Sequence, residues 1–342
     1  MMARRGPKIG LWITVLLVLI CPGRAGAVPK NRLAAAFDAT IGPFFNNQFT
    51  FGVLQGAGGV KIHYAKREVA HERGALVVVN GRTEFAAKYA EFFYDLRDLR
   101  FSFYTYDHRG QGLSGRLLKD PQKGYVDHFT NYVADLAKFI KTVVRPQEHQ
   151  RLFILAHSMG GLISVLYCLE NKPPLNGLIL CAPMLQINTS PIPNRLAKYF
   201  VQGITALGGG AWYVVGGGPY DPAKPFNNNE LTHSRVRFTL NRGLVARDPR
   251  LALGAPTFKW LAESFAAMPL GLKEAGALKM PILLLRGSED VVVGRQGEDD
   301  FCHAAPDCRL IELTGGRHEL LFESDPVRTK ALTLIKNFLK DH

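Results

Sequence analysis

The chain is poor in cysteine and short of acid. Only 5 of its 342 residues are Cys, and 29 Asp and Glu stand against 42 Lys and Arg. So few cysteines, with no C-x-x-C pair and no His/Cys cluster, exclude a disulfide-built scaffold and a zinc module. The excess of base is dispersed, with no run of five or six. That argues against a nucleic-acid-binding arm, and no zinc-finger or RNA-binding signature is present. The glycine clusters at 208–210 and 216–218 are not followed by Lys-Ser/Thr, so they are not phosphate loops. No internal repeat occurs. Beyond the amino terminus no segment is long and apolar enough to span a bilayer.

What is there is a large apolar fraction, 47%, enough for one sizeable core. The first 27 residues read as a secretory signal. Arg4, Arg5 and Lys8 precede an apolar stretch from Ile9 to Ile20, and Ala25-Gly26-Ala27 offers a cleavage site before Val28. The expected mature chain is exported, periplasmic or secreted, and remains clearly basic, which suits peripheral contact with an anionic membrane surface. Cys168 and Cys181 fall in apolar segments and read as buried packing residues. Cys302 and Cys308 lie in a loop that an oxidising compartment would permit to be bridged.

Beyond the signal, apolar runs alternate with helical patterns. Residues 28–48 read as a short helix and an extension, followed by a hairpin around Gly56–Gly59. Strand-like runs follow at 75–79, 101–106, 152–156, 177–182, 281–285 and 309–313. Helical spacing marks 85–96, 127–144, the stretch after Gly161, and a last helix with Asp325 as its cap and Pro326 at its first position. This alternation predicts an α/β fold with a mostly parallel central sheet flanked by helices. Residues 186–275 break the rhythm. They are rich in Gly, Pro and aromatics and read as an inserted helical cap with a small core of its own, a few aromatics lining an acyl pocket. The expected organisation is signal 1–27, core 28–185, cap 186–275 and core 276–342.

The run Leu152-Phe-Ile-Leu-Ala-His157-Ser158-Met159-Gly160-Gly161 is a strand turning sharply into a helix with a Ser at the apex, a nucleophile elbow. Ala156 stands where Gly is usual and is still small. In this fold an acid and a His follow the Ser in chain order. Asp290 lies just past the run 281–285, and His318 just past 309–313. Glu289, Asp299 and Asp307 are weaker candidates for the acid. Ser158 is the expected nucleophile, His318 the general base and Asp290 its orienting acid. The backbone N–H groups of Met159 and Arg82 are the expected oxyanion donors. No cofactor or metal is called for.

Longer stretches carry a resemblance. They are Gly81-Arg82-Thr-Glu84 with Lys88-Tyr89-Ala-Glu91, and Asp107-His-Arg-Gly-Gln-Gly-Leu-Ser-Gly-Arg-Leu-Leu-Lys-Asp-Pro121. Gly124-Tyr-Val126, Phe129, Tyr132-Val133, Asp135-Leu136 and Ala156–Gly161 continue it. So do Leu231-Thr-His-Ser-Arg235, the Gly287–Asp290 turn and His318-Glu319. Over roughly residues 50–340 the chain resembles lysophospholipase L2-type α/β-hydrolases, in the branch with monoacylglycerol lipases and S33-type serine aminopeptidases. The resemblance implies that fold, hydrolysis of an acyl ester through a Ser-His-Asp triad and acyl-enzyme, and a lysophospholipid substrate. Monoacylglycerol lipase or general carboxylesterase is the alternative. Arg109 and Arg116 read as parts of a structural turn with buried ion pairs. His233 and Arg235, in the cap, are candidates to meet a substrate phosphate.

Overall fold

A computed structural model describes residues 30–342. The expected signal segment lies outside them. Eight strands form one sheet: β1 Thr50–Gln55, β2 Lys61–Arg67, β3 Gly74–Val79, β4 Phe101–Tyr106, β5 Leu152–His157, β6 Gly177–Cys181, β7 Ile282–Gly287 and β8 Cys308–Leu313. Their order is β1-β2-β4-β3-β5-β6-β7-β8. β1 and β2 form an antiparallel hairpin, β2 joins β4 antiparallel, and every later pairing is parallel. The fold is α/β with a mostly parallel sheet.

The central strands are apolar throughout because both sheet faces are covered. Along β3, Val77 and Val79 join the core on one side, and Leu76 and Val78 join the core on the other. Burying each such side chain contributes about 1.5–3 kcal/mol.

The amino-terminal segment is helical where an extension is expected. α1 Lys30–Ala36 runs through a π-helical turn at Phe37–Ile41 into α2 Gly42–Gln48. Leu33, Phe37, Ile41, Phe44 and Phe45 recur at helical spacing and are buried, packing chiefly on α3 and α7. Pro43 does not break this run because it falls in the first turn of α2, where no intrahelical N–H bond is needed.

The remaining helices are α3 Ala90–Leu96, α4 Thr130–Phe139, α5 Met159–Asn171, α6 Asn194–Ala206, α7 Arg235–Arg247, α8 Phe258–Lys273, α9 Arg295–Ala304 and α10 Asp325–Asp341. α10 starts one residue earlier than expected, with Ser324 in the cap position and Asp325 as its first residue. The Asp325 carboxylate instead accepts a hydrogen bond from Arg237 Nη1 at 2.9 Å.

α6, α7 and α8 lie between β6 and β7. Their aromatic residues do not form only a small core of their own. Phe258, Trp260 and Phe265 belong to the main core beside α5. Phe85, Val245, Leu251 and Ala252 make a satellite cluster under α7. α7 is also clamped electrostatically. Arg237 pairs with Glu91 of α3 at 2.8 Å, and Glu91 in turn meets Arg328 of α10. Cys302 and Cys308 are bonded, and Cys168 and Cys181 are buried thiols.

The order β4-β3-β5 marks the point where the chain reverses its progress across the sheet. Ligand sites in open α/β sheets form at such points, outside the carboxyl ends of the strands.

Candidate active site

β5 ends at His157, and Ser158 takes φ 51° and ψ −118°, a backbone conformation rarely tolerated by a residue with a side chain. The turn is held from both sides. Ser158 N–H donates to Cys181 O at 3.1 Å, and its carbonyl accepts from Gly161 and Met184, both at 2.9 Å. Gly160 is required here, because a Cβ would collide with the carbonyl oxygens of Val79 and Asn80. Ala156 is wholly buried between β3 and β6 without conflict.

Three strand ends meet at this serine. Ser158 Oγ lies 2.9 Å from His318 Nε2, and His318 Nδ1 lies 2.7 Å from Asp290 Oδ2. Asp290 Oδ1 accepts from the N–H of Val292 at 2.8 Å and of Val293 at 3.3 Å. Burial alone would raise the Asp290 pKa. The hydrogen bond and charge of His318, with those two N–H groups, hold it below the ordinary value. The carboxylate thus stays ionised beside the imidazole. Glu289 and Asp299 are turned to His233 and Arg286 instead.

Gly81 stands beside the nucleophile, where a Cβ would come within 3.3 Å of Ser158 Cβ. The next residue, Arg82, and the first residue of α5, Met159, therefore flank Ser158. Among the described residues neither backbone N–H has a protein acceptor. Two free donors beside a nucleophile, one at a helix N-terminus, can receive a developing oxyanion.

The loop 80–84 is held by the long Asp107 motif. Gln111 Nε2 donates to Gly81 O at 2.7 Å and to Glu84 O at 2.9 Å, and His108 Nε2 to Asn80 O at 2.8 Å. Asp107 Oδ1 accepts from Ala86 N–H at 2.7 Å, and burial pushes its pKa up to about 6. Arg109 forms a buried two-pronged pair with Asp135, at 2.7 and 2.8 Å. Arg116 bonds backbone carbonyls, among them Gly110 O at 2.5 Å.

Sequence reasoning assigns no role to the buried network behind the nucleophile. Glu84 Oε2 accepts from Tyr89 Oη at 2.7 Å and pairs with His157 Nδ1 at 3.0 Å. Lys88 Nζ bridges Glu84 at 2.8 Å and Glu319 at 2.6 Å. Burial opposes the Glu84 charge, but Lys88 and His157 hold its pKa well below the ordinary value. Burial likewise opposes the His157 cation, and Glu84 holds the His157 pKa above the ordinary value. The i,i+4 spacing of Glu84 and Lys88 was the available signal.

A cavity of about 870 Å³ opens over Ser158 and His318. Ile187, Ile192, Leu196, Phe200, Val214, Val215, Phe258, Trp260 and Leu261 wall it, with Val292 and Val293 from the core. Such a lining suits a hydrocarbon chain. His233 and Arg235 do not reach it. They line a separate cavity of about 660 Å³ between α1 and α7. His233 Nε2 bonds Glu289 at 2.8 Å, and the Arg235 guanidinium sits 4.5 Å from the Phe226 ring centre. The structure therefore does not bring these two candidates for a phosphate contact into the lining of the cavity over Ser158.

A family model described as serine aminopeptidase, S33, matches residues 70–325. Lysophospholipase L2 of Escherichia coli (strain K12) is 37% identical over 331 residues, covering 92% of this chain and 94% of that protein. Monoglyceride lipase of Rattus norvegicus is 30% identical over 264 residues, 76% of this chain and 80% of that protein. Among solved structures, the monoacylglycerol lipase of Paleococcus ferrophilus shares the fold. The TM-score is 0.65 at 20% identity, over 82% of this chain and 99% of that one.

Proposed function

Because this chain belongs to the serine aminopeptidase S33 family of α/β-hydrolases, we propose that it is a serine ester hydrolase cleaving the acyl ester of lysophospholipids. One observation carries the reading: the unbroken relay Ser158–His318–Asp290, opening into an apolar cavity.

Ser158 Oγ attacks the ester carbonyl carbon while its proton passes to His318 Nε2. Asp290 fixes the imidazole through Nδ1 and stabilises the imidazolium. The oxyanion meets the N–H groups of Met159 and Arg82, a contribution of roughly 2.7–4 kcal/mol per donor in such sites. Collapse expels the glycerophospho-alcohol, which takes the proton from His318. Water, deprotonated by the same imidazole, then releases the fatty acid from the acyl-enzyme.

The cap is the membrane-facing side of this reading. Ile192, Leu196, Tyr199, Phe200, Leu207, Trp212 and Val215 are exposed there, Leu207 by 86%. Four of them, Ile192, Leu196, Phe200 and Val215, also line the catalytic cavity. An exposed apolar ridge continuous with an acyl cavity, flanked by Arg195 and Lys198, favours contact with anionic lipid. The bonded Cys302–Cys308 pair favours residence outside the cytoplasm. Sequencing the amino terminus of the natively expressed protein tests export. A mature chain beginning at Val28 agrees, and an intact Met1 opposes it.

Monoacylglycerol hydrolysis is the second reading, favoured by the predominantly apolar cavity lining. The chain from Val28 onward, given lysophosphatidylcholine and monoacylglycerol of one acyl length, decides between them. Faster fatty acid release from the lysophospholipid, lost in Ser158→Ala, is expected. Preference for the neutral glyceride moves the assignment to the second reading. Full activity in Ser158→Ala sinks both.

A further inference from the structure

Among the described residues lining the catalytic cavity there is a single lysine or arginine, Arg82. Nη2 of Arg82 donates to Gly254 O, beyond α7, at 2.5 Å. Its guanidinium carbon lies 5.3 Å from the Trp260 ring centre. Nε is buried without an acceptor. No described carboxylate acts on the group; its electrostatic neighbours are the phenols of Tyr132 and Tyr213. Burial pushes its pKa down to about 10, against those phenols, and it remains charged at neutral pH.

A clamp between loop 80–84 and the insertion would account for the bond to Gly254. It would not account for the charge, since a neutral donor makes that bond as well. A half-buried cation without a counter-ion is costly, and an anion delivered by the ligand offsets that cost.

Geometry names the anion. The Arg82 backbone N–H faces the ester carbonyl in the mechanism above. The path of bonds from that carbonyl carbon through glycerol to phosphorus has the same number of bonds as the path from the Arg82 nitrogen to its guanidinium carbon. We infer that the Arg82 side chain binds the phosphodiester of the lysophospholipid headgroup while its own backbone N–H serves the oxyanion. The inference rests on the lysophospholipase reading and replaces His233 and Arg235 as the phosphate partner. One residue then couples recognition of the headgroup to placement of the scissile bond. A monoglyceride offers only a hydroxyl at that place.

The test is a ratio. For the wild type, Arg82→Gln and Arg82→Lys, kcat/KM is measured on lysophosphatidylcholine and on a monoacylglycerol of the same acyl chain. All three keep the backbone N–H. In Arg82→Gln the ratio is expected to fall by about tenfold or more, the scale of a charge-assisted hydrogen bond. Arg82→Lys is expected to retain much of it, because the charge remains. Equal losses on both substrates in Arg82→Gln would show a clamp and overturn the inference. Should that variant not fold, product inhibition of the wild type decides. Glycerophosphocholine is expected to inhibit far more strongly than glycerol, and equal weakness of the two overturns the inference. A wild type inactive on lysophospholipid removes the parent reading as well. An active one with an unchanged ratio in Arg82→Gln removes this inference alone.

Discussion

The Glu84 carboxylate and the His157 imidazole pair at 3.0 Å, both buried, behind the nucleophile. Glu84 also accepts the Gly81 N–H at 2.5 Å, and His157 Nε2 donates to His318 O at 3.2 Å. The pair thus ties together the loop 80–84, the strand leading to Ser158 and the loop carrying His318.

Glu84→Gln leaves His157 buried without its carboxylate and Lys88 with Glu319 alone. Breaking such a pair is worth roughly 3–5 kcal/mol, so a loss of that order is expected, with slower turnover. His157→Gln has a pH signature. The His157 pKa is held above 6.5 in the fold. Its stabilisation is therefore complete below the unfolded value and lost as pH rises through the folded one. Denaturant unfolding on either side of neutrality is expected to show the wild-type advantage shrinking toward alkaline pH. An advantage that grows toward alkaline pH would contradict the pairing.

Gly160→Ala drives a methyl group into the carbonyl oxygens of Val79 and Asn80. These are backbone atoms of β3 and its loop and cannot rotate aside. A loss of about 1–3 kcal/mol is expected, with activity falling further because β3 and the loop 80–84 must move. Thermal melting and ester hydrolysis measured together check this. Wild-type values for both would mean that the elbow is looser than described.

Glu298 is buried beside Asp290. Burial first, then the Asp290 charge, raises its pKa from 4.5 to about 8. The stability gained from the neutral carboxyl is present below the unfolded value and lost as pH rises through about 8. Glu298→Gln is neutral at every pH. It is expected to match the wild type in acid and to exceed it by about 1–3 kcal/mol above the raised value. Melting temperatures across that range test it, and parallel curves would contradict it.

Leu207 and Trp212 stand exposed on the cap and do not line the catalytic cavity. Leu207→Glu with Trp212→Glu is expected to weaken sedimentation with anionic phospholipid vesicles by about tenfold or more. Hydrolysis of vesicle-borne substrate is expected to fall more than that of a soluble short-chain ester. Unaltered vesicle binding would exclude this face.

The sheet was legible because its strands are covered on both sides and stand out as continuous apolar runs bounded by turns. Leu152–Ala156 and Phe101–Tyr106 need no partner to be read as strands. The amino-terminal helices were only half legible, because Gly42-Pro43 signals a break unless the proline's place in a first turn is known. Ser158, Asp290 and His318 could be named together because short motifs and chain order carry them. Their distances could not, since those come from three separate strand ends. The roles of Glu84, His157 and the Arg82 side chain were hidden for a related reason. Each depends on neighbours far away in sequence: Glu84 on His157, His157 on His318, and Arg82 on Gly254 and Trp260.

Local order, then, was the sequence's own doing: apolar periodicity sets strands and helices, and small residues set the elbow, because these depend on near neighbours along the chain. Where the side chains of the insertion point was decided only in three dimensions. His233 and Arg235 line a separate cavity while Arg82 lines the one over Ser158, because packing of α7 and α8 on the core sets which charges border each space.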